Sequence, residues 1–245
     1  MVFDYHVHVT GAPVYSYKNI IKSKLKASLI DNNITGFIGV VASSPPMSKS
    51  KDMIISSFNA KFDSNNEGLK IVRELGGEPA VLAMATYLLI DNKALKKMLK
   101  WSYNNGVRVL KLYTDDHVDY SSIIKEAEQY CFDKILAHTP EDLSVIEPLF
   151  EQARDTQLIL GHGCINSKSL MKLVKDSGAL VDTSQQSIDN IKAWVDAGLE
   201  DQLVFGSDWP CPERVGLGVD WGAQKRELVK LSSLGLQESF YNKRL

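Results

Sequence analysis

Apolar runs rich in β-branched residues alternate along the chain with longer stretches whose apolar positions recur at helical spacing, and the alternation persists almost to the end. The first run is FDYHVHV (Phe3–Val9). ITGFIGVVA (Ile34–Ala42), PAVLAMATYLL (Pro79–Leu89) and VRVLKLY (Val107–Tyr113) follow it. The second half contributes FDKILAH (Phe132–His138), TQLILGH (Thr156–His162), GALVDTS (Gly178–Ser184) and QLVFGSD (Gln202–Asp208). Between them lie amphipathic stretches such as YKNIIKSKLKASLIDNN, DNKALKKMLKWSYNNG, PEDLSVIEPLFEQARD, SKSLMKLVKDSG and SIDNIKAWVDAG. Several of these close on Gly or Asn, where a helix stops. Strict alternation of strand and helix predicts parallel strands. Eight such units predict an α/β fold closed into a single (β/α)8 TIM barrel, with an open doubly wound sheet as the alternative.

The length of 245 residues suits such a barrel without a linker, so the chain reads as one domain spanning 1–245. One connection breaks the rhythm. Residues 43–66, after the second strand, carry SSPPMSKSK and NAKFDSNN, and a long loop on that side of a strand serves either as a lid or as a plain insertion. With 44% hydrophobic and 24% charged residues, the composition excludes collagenous, disordered and membrane-spanning classes. The formal charge of −2 leaves no global basic field to gather nucleic acid or anionic lipid, so neither partner is expected. The Lys-rich stretch with Lys18, Lys22, Lys24 and Lys26 lacks interleaved aromatics and fits a solvated helix face. Strand-like sequence begins at Val2, which leaves no signal-peptide pattern. Cys131, Cys164 and Cys211 form no C-x-x-C pair, so reduced thiols and a cytoplasmic location are expected.

In a barrel of this kind the chemistry gathers where strands end and the βα loops begin. His6 and His8 end the first run, His138 the fifth, His162 the sixth and Asp208 the eighth; of the five histidines only His117 lies in a loop. A lone histidine after an apolar run is usually a hydrogen-bonded core or rim residue. Four such strand ends together describe a site of imidazoles and one carboxylate without thiolate. That donor set suits Zn²⁺, with Mn²⁺, Fe²⁺ or Co²⁺ as competitors. If both faces of the first strand are buried, Phe3, Tyr5, Val7 and Val9 pack under the helices while Asp4, His6 and His8 face the interior. Asp4 then serves as an outer acceptor behind the ligands or as a structural anchor.

The D-x-H-x-H run at Asp4 to His8, the LAHT ending in His138 and Thr139, the G-H-G at Gly161 to Gly163 and the G-S-D-W-P at Gly206 to Pro210 resemble the amidohydrolase superfamily. They are most similar to its amidohydrolase-2 branch of decarboxylases and dicarboxylate lactonases. The closing YNKRL also resembles the N-A-x-R-L that ends many members. The resemblance implies a barrel distorted as in metal-dependent hydrolases. It implies His6, His8, His138 and Asp208 as metal ligands, with one ion expected in preference to two. His162 would orient or deprotonate the attacking water, and Asp208 would carry the proton to the leaving group. A divalent ion brings the pKa of a bound water to about 7 and polarises a substrate carbonyl.

Several residues keep two readings. Lys111 ends the fourth run, where some superfamily members carry a carboxylated lysine bridging two metals; it could equally bind a substrate carboxylate. Arg214 could grip an anionic substrate or simply face solvent, and Trp209 could line the pocket or pack the last loop. The expected activity is metal-dependent hydrolysis of a small-molecule carboxylic ester, lactone or amide. Non-hydrolytic decarboxylation on the same fold is the alternative. A TatD-type deoxyribonuclease fits less well because no strand-end glutamate is visible, and a catalytically silent metal-binding protein fits less well because the ligand set is complete. Substrate identity and a homo-oligomeric state stay open.

Overall fold

The computed structural model describes residues 2–10, 20–41, 66–84, 92–113, 120–139, 143–153, 155–163, 167–212 and 219–236. The strands are β1 (Val2–Thr10), β2 (Ile34–Val41), β3 (Glu78–Met84), β4 (Val109–Tyr113), β5 (Lys134–His138), β6 (Gln157–Gly161), β7 (Leu180–Asp182) and β8 (Leu203–Val204). Helices follow them in turn: α1 (Ile21–Asp31), α2 (66–74), α3 (Asn92–Asn104), α4 (Tyr120–Glu128), α5 (Leu143–Gln152), α6 (Lys168–Ser177), α7 (Ile188–Asp196) and α8 (Ala223–Ser233). A two-stranded antiparallel pair, β9 (Cys211–Pro212) and β10 (Val219–Asp220), precedes α8. The long connection expected over 43–66 lies outside the described residues, apart from residue 66 in α2.

The eight strands pair in sequence order, every pair parallel. The ring closes where Tyr5 N donates to Phe205 O at 2.8 Å, His8 N donates to Trp209 O at 2.6 Å, and Val7 bridges Trp209 in parallel. A single (β/α)8 barrel is therefore the architecture, as the alternation predicts. Helix ends follow local chemistry. Ser167 and Ser187 cap α6 and α7 by accepting from Leu170 N and Asn190 N, each at 3.1 Å, and Gly178 ends α6 in the left-handed region at φ 70°.

Two apolar layers make the core. The inner one fills the barrel with Tyr5, Ile38, Val40, Ala80, Val109, Leu136, Ile159 and Val204. The outer one lies between strands and helices and includes Val7, Phe37, Leu110, Leu160, Leu25, Leu99, Ile146 and Trp194. β1 departs from the expected alternation. Its register against β2 slips between Asp4 and Val7, so Tyr5 joins the inner layer rather than packing under the helices. The extra residue changes the facing of the strand, as a bulge does, and frees Asp4 to meet α8. Val7 and Val9 lie in the outer layer as expected.

Candidate metal centre at the strand ends

His6 is at the centre of a buried polar cluster. Its Nδ1 lies 2.9 Å from Asp182 Oδ2, and its Nε2 lies 3.1 Å from Lys111 Nζ and 3.5 Å from Asp208 Oδ1. His8 Nε2 is 3.0 Å from that same Asp208 oxygen. The His6 ring sits 5.1 Å from the ring of His8 and 4.9 Å from that of His162, and His162 in turn is 4.7 Å from His138. Strands β1 and β4, the C-terminal ends of β5, β6 and β7 and the segment after β8 thus converge on one point.

The backbone is bent to achieve this. His162 follows β6 at φ 71° and Asp208 lies four residues past β8 at φ 54°, both in the left-handed region that a side chain seldom adopts. Each bend is fastened by a carboxylate. Asp182 Oδ1 accepts from His162 N at 3.0 Å and Ser184 N at 2.9 Å, and also takes the Ser184 hydroxyl. Asp4 accepts from Ser207 N at 3.0 Å, Ser207 Oγ at 2.6 Å, Gln224 Nε2 at 2.9 Å and His6 N at 3.2 Å. It therefore ties β1, the residue before Asp208 and helix α8 together, which is the anchoring role. Gln185 Nε2 donates to the second oxygen of Asp208.

Burial governs the charges. It holds His6 down to about 3, with the Lys111 ammonium adding to the effect against Asp208 and Asp182. Burial likewise lowers His138 and His162. Lys111, fully buried, is pushed down to about 8 by desolvation while Asp208 and Asp182 oppose the shift. Burial alone would raise Asp182 and Asp208, but the imidazoles around them prevail and both stand below the ordinary carboxylate range. Desolvation lifts Asp4 to about 7 despite its four donors. Neutral imidazoles and ionised carboxylates are the forms in which these groups ligate a cation.

The residues fit a divalent ion. His6, His8 and Asp208 each offer a ligand atom, and the three atoms lie within 4.8 Å of one another; His6, His162 and Asp182 form a second such group. Space is kept for it. A Cβ on Gly161 would come within 3.3 Å of His6 Cε1 and 3.4 Å of Lys111 Nζ, so a side chain there would enter the cluster. Lys111 Nζ stands beside His6 Nε2, and Asp208 and Asp182 act in favour of a positive charge there against the cost of burial.

The structure brings His6, His8, Lys111, His138, His162 and Asp208 together. Trp209 is fully buried in the outer layer, its indole donating to Trp221 O at 3.0 Å and its ring 5.4 Å from that of Trp221; this is the packing role. Arg214 and His117 lie outside the described residues. Asp182, Ser184 and Gln185 are functional candidates that the histidine pattern does not reveal. Asp182 ends β7 within the run GALVDTS, but Thr183 and Ser184 follow it there and nothing in the run singles it out.

No protein-family model and no curated protein sequence matches this chain. Solved structures do match in fold. A 4-oxalomesaconate hydratase, LigJ, from Rhodopseudomonas palustris aligns over 99% of this chain and 93% of its own, at a TM-score of 0.64 and 12% identity. The IDCase of Metarhizium anisopliae in apo form aligns over 95% and 91%, at 0.63 and 14%. A probable 2-pyrone-4,6-dicarboxylic acid hydrolase from Acinetobacter baumannii, with citric acid bound, aligns over 96% and 95%, at 0.58 and 12%. The chain thus shares the barrel of enzymes with several different chemistries, nearly end to end.

Proposed function

We propose that this protein is a metal-dependent enzyme of the amidohydrolase type that hydrolyses a carboxylic ester, lactone or amide of a small molecule. The observation that carries the reading is the convergence of His6, His8 and Asp208 within ligand distance of one another at the strand ends, with His138 and His162 alongside. His6, His8, His138 and Asp208 would hold one divalent ion, Zn²⁺ in the first instance. Both three-atom groups share His6, whose Nδ1 already faces Asp182, which favours one ion over two. When bound, such an ion supplies Lewis acidity to a substrate carbonyl and to a water. His162 orients the attacking water and accepts from it. Asp208, kept ionised, takes the proton and returns it to the leaving group. Lys111, buried beside His6, would hold a substrate carboxylate. Arg214 is the further candidate for an anionic substrate.

The Lys111 position also favours a second reading, decarboxylation, because a carboxylate fixed beside the metal ligands is the group that such a reaction releases. The deoxyribonuclease reading gains no support, since no glutamate lies at a C-terminal strand end among the described residues. The deciding experiment is elemental analysis of desalted protein together with a panel of lactones, esters, amides and unsaturated carboxylates. The expected result is about one equivalent of metal per chain, absent from a His6→Ala, His8→Ala double variant, with hydrolysis that disappears when metal is removed. Hydrolysis that survives metal removal overturns the proposal. Release of carbon dioxide without hydrolysis of any panel member replaces it with the second reading.

A further inference from the structure

We infer that Asp182, at the end of β7, is a positioning residue that sets the tautomers of two histidines at once, His6 directly and His162 through the Ser184 hydroxyl. Each link follows from donors and acceptors. Asp182 is fully buried, with two backbone N–H groups and a hydroxyl directed at its Oδ1, the surroundings of a carboxylate whose oxygens accept. Its Oδ2 stands 2.9 Å from His6 Nδ1, so that nitrogen carries the proton and Nε2 is left with the lone pair. Lys111 Nζ, a donor, lies 3.1 Å from that Nε2, which agrees. The other oxygen, Oδ1, takes the Ser184 hydroxyl proton, so Ser184 Oγ must accept from its remaining neighbour, His162 Nδ1 at 2.9 Å. His162 is thereby also protonated on Nδ1, with Nε2 as its acceptor nitrogen.

The same carboxylate oxygen accepts the backbone N–H groups of His162 and Ser184, at 3.0 and 2.9 Å. Asp182 thus fixes the backbone bend that aims His162 as well as the ring's protonation pattern. A ligand and a base with matching tautomers are what the proposed function needs, and the catalytic part of this inference rests on that reading. The tautomer assignment itself does not.

An asparagine at this position discriminates. Its carbonyl oxygen can replace Oδ1, where three donors meet, but its amide NH₂ then faces His6 Nδ1. That nitrogen must become the acceptor, and the proton moves to Nε2, so that a cation can bind there only after His6 gives up this tautomer.

The test uses the full-length protein labelled with ¹⁵N-histidine. Nitrogen chemical shifts report each tautomer in the metal-free state, and chelator competition reports Zn²⁺ affinity in the loaded state. In the wild type His6 and His162 should both show Nδ1–H. Asp182→Asn should move His6 to Nε2–H and weaken Zn²⁺ binding about 10- to 100-fold. Ser184→Ala should release His162 alone, leaving His6 unchanged and affinity within about threefold, and Ser184→Thr should restore the His162 signature. A wild type with either histidine protonated on Nε2, or a Ser184→Ala protein with an unchanged His162 pattern, overturns the inference. Because the serine variant removes a single hydroxyl, it keeps the test decisive if Asp182→Asn does not fold. A wild type that binds no Zn²⁺ while showing both Nδ1–H signatures sinks the proposed function and leaves the tautomer assignment standing.

Discussion

Gly161 leaves little room for a methyl group. It ends β6 facing the cluster, and a Cβ there would sit 3.1 Å from Ala137 O, 3.3 Å from His6 Cε1 and 3.4 Å from Lys111 Nζ. The backbone oxygen yields least, so the end of β6 and the His6 imidazole against it must give by a few tenths of an ångström. Gly161→Ala is therefore expected to cost about 1–3 kcal/mol of stability from overpacking. It should also lower any metal-dependent turnover by up to about a hundredfold, since misplacement of a positioned group is expensive in rate. Denaturant titration and steady-state kinetics on the same samples check both. A large stability loss with normal turnover would mean that His6 tolerates displacement. Histidines and Asp208 were legible in the sequence because the chain has only five histidines and four of them stand at run ends. Asp182 was hidden by its commonness, since one carboxylate in GALVDTS carries no contrast with the 30 acidic residues of the chain until its neighbours are known.

At the scale of elements, the turn between β7 and α7 is held from outside by α8. Lys230 Nζ donates to Gln186 O at 2.7 Å and to Thr183 O at 3.3 Å, and pairs with Glu227, which is itself almost wholly buried. That turn bears Ser184 and Gln185, so α8 steadies the cluster from behind, through this turn as well as through Asp4. Lys230→Met should cost about 1–3 kcal/mol, the cost of leaving buried acceptors and a buried carboxylate without their donor. The variant should also weaken metal binding. Loss of stability with unaltered metal affinity would show that the turn keeps its shape unaided.

Glu227 gives a second prediction for this element. Burial raises its pKa above 4.5 even with Lys230 and Arg226 beside it, so the folded protein holds that proton more firmly than the unfolded chain does. The linked contribution to stability is complete below pH 4.5 and declines as pH rises through the folded value. Glu227→Gln lacks this decline. The difference in thermal midpoint, variant minus wild type, should grow more positive as the pH is raised across that window. A flat difference would place Glu227 in water rather than under the helix. Little of this element was legible beforehand, because AQKRELVKLSS shows no apolar run that distinguishes its inward face, and that face is partly polar: Gln224 and Glu227 are buried beside Ala223 and Leu231. The bulge in β1 was equally hidden, since a period-two pattern places Tyr5 and Val7 on one face and cannot register one extra residue.

For the whole molecule, alternation of runs and helices was enough to give the barrel. Strand pairing order follows from sequence order when every crossover is a helix, and the only closure left to make is β1 against the segment after β8. That closure joins the termini of the barrel through the site itself: Asp4 accepts from Ser207, and His6 and His8 lie against Asp208. A cation gripped by His6, His8 and Asp208 would therefore fasten the seam of the barrel, and its binding should appear as global stability rather than as a local effect. Mass action gives about 2.7 kcal/mol when free ion is a hundred times its dissociation constant. For a chain of this length that corresponds to a rise of roughly 5–10 °C in the unfolding midpoint. The measurement is a thermal melt of chelator-treated protein with and without added Zn²⁺. The His6→Ala, His8→Ala variant serves as the control that should not respond. A midpoint that rises equally in both proteins would locate the ion elsewhere on the surface. A wild-type midpoint that stays fixed at saturating ion would mean that the seam is closed by the Lys111 ammonium and the carboxylates alone.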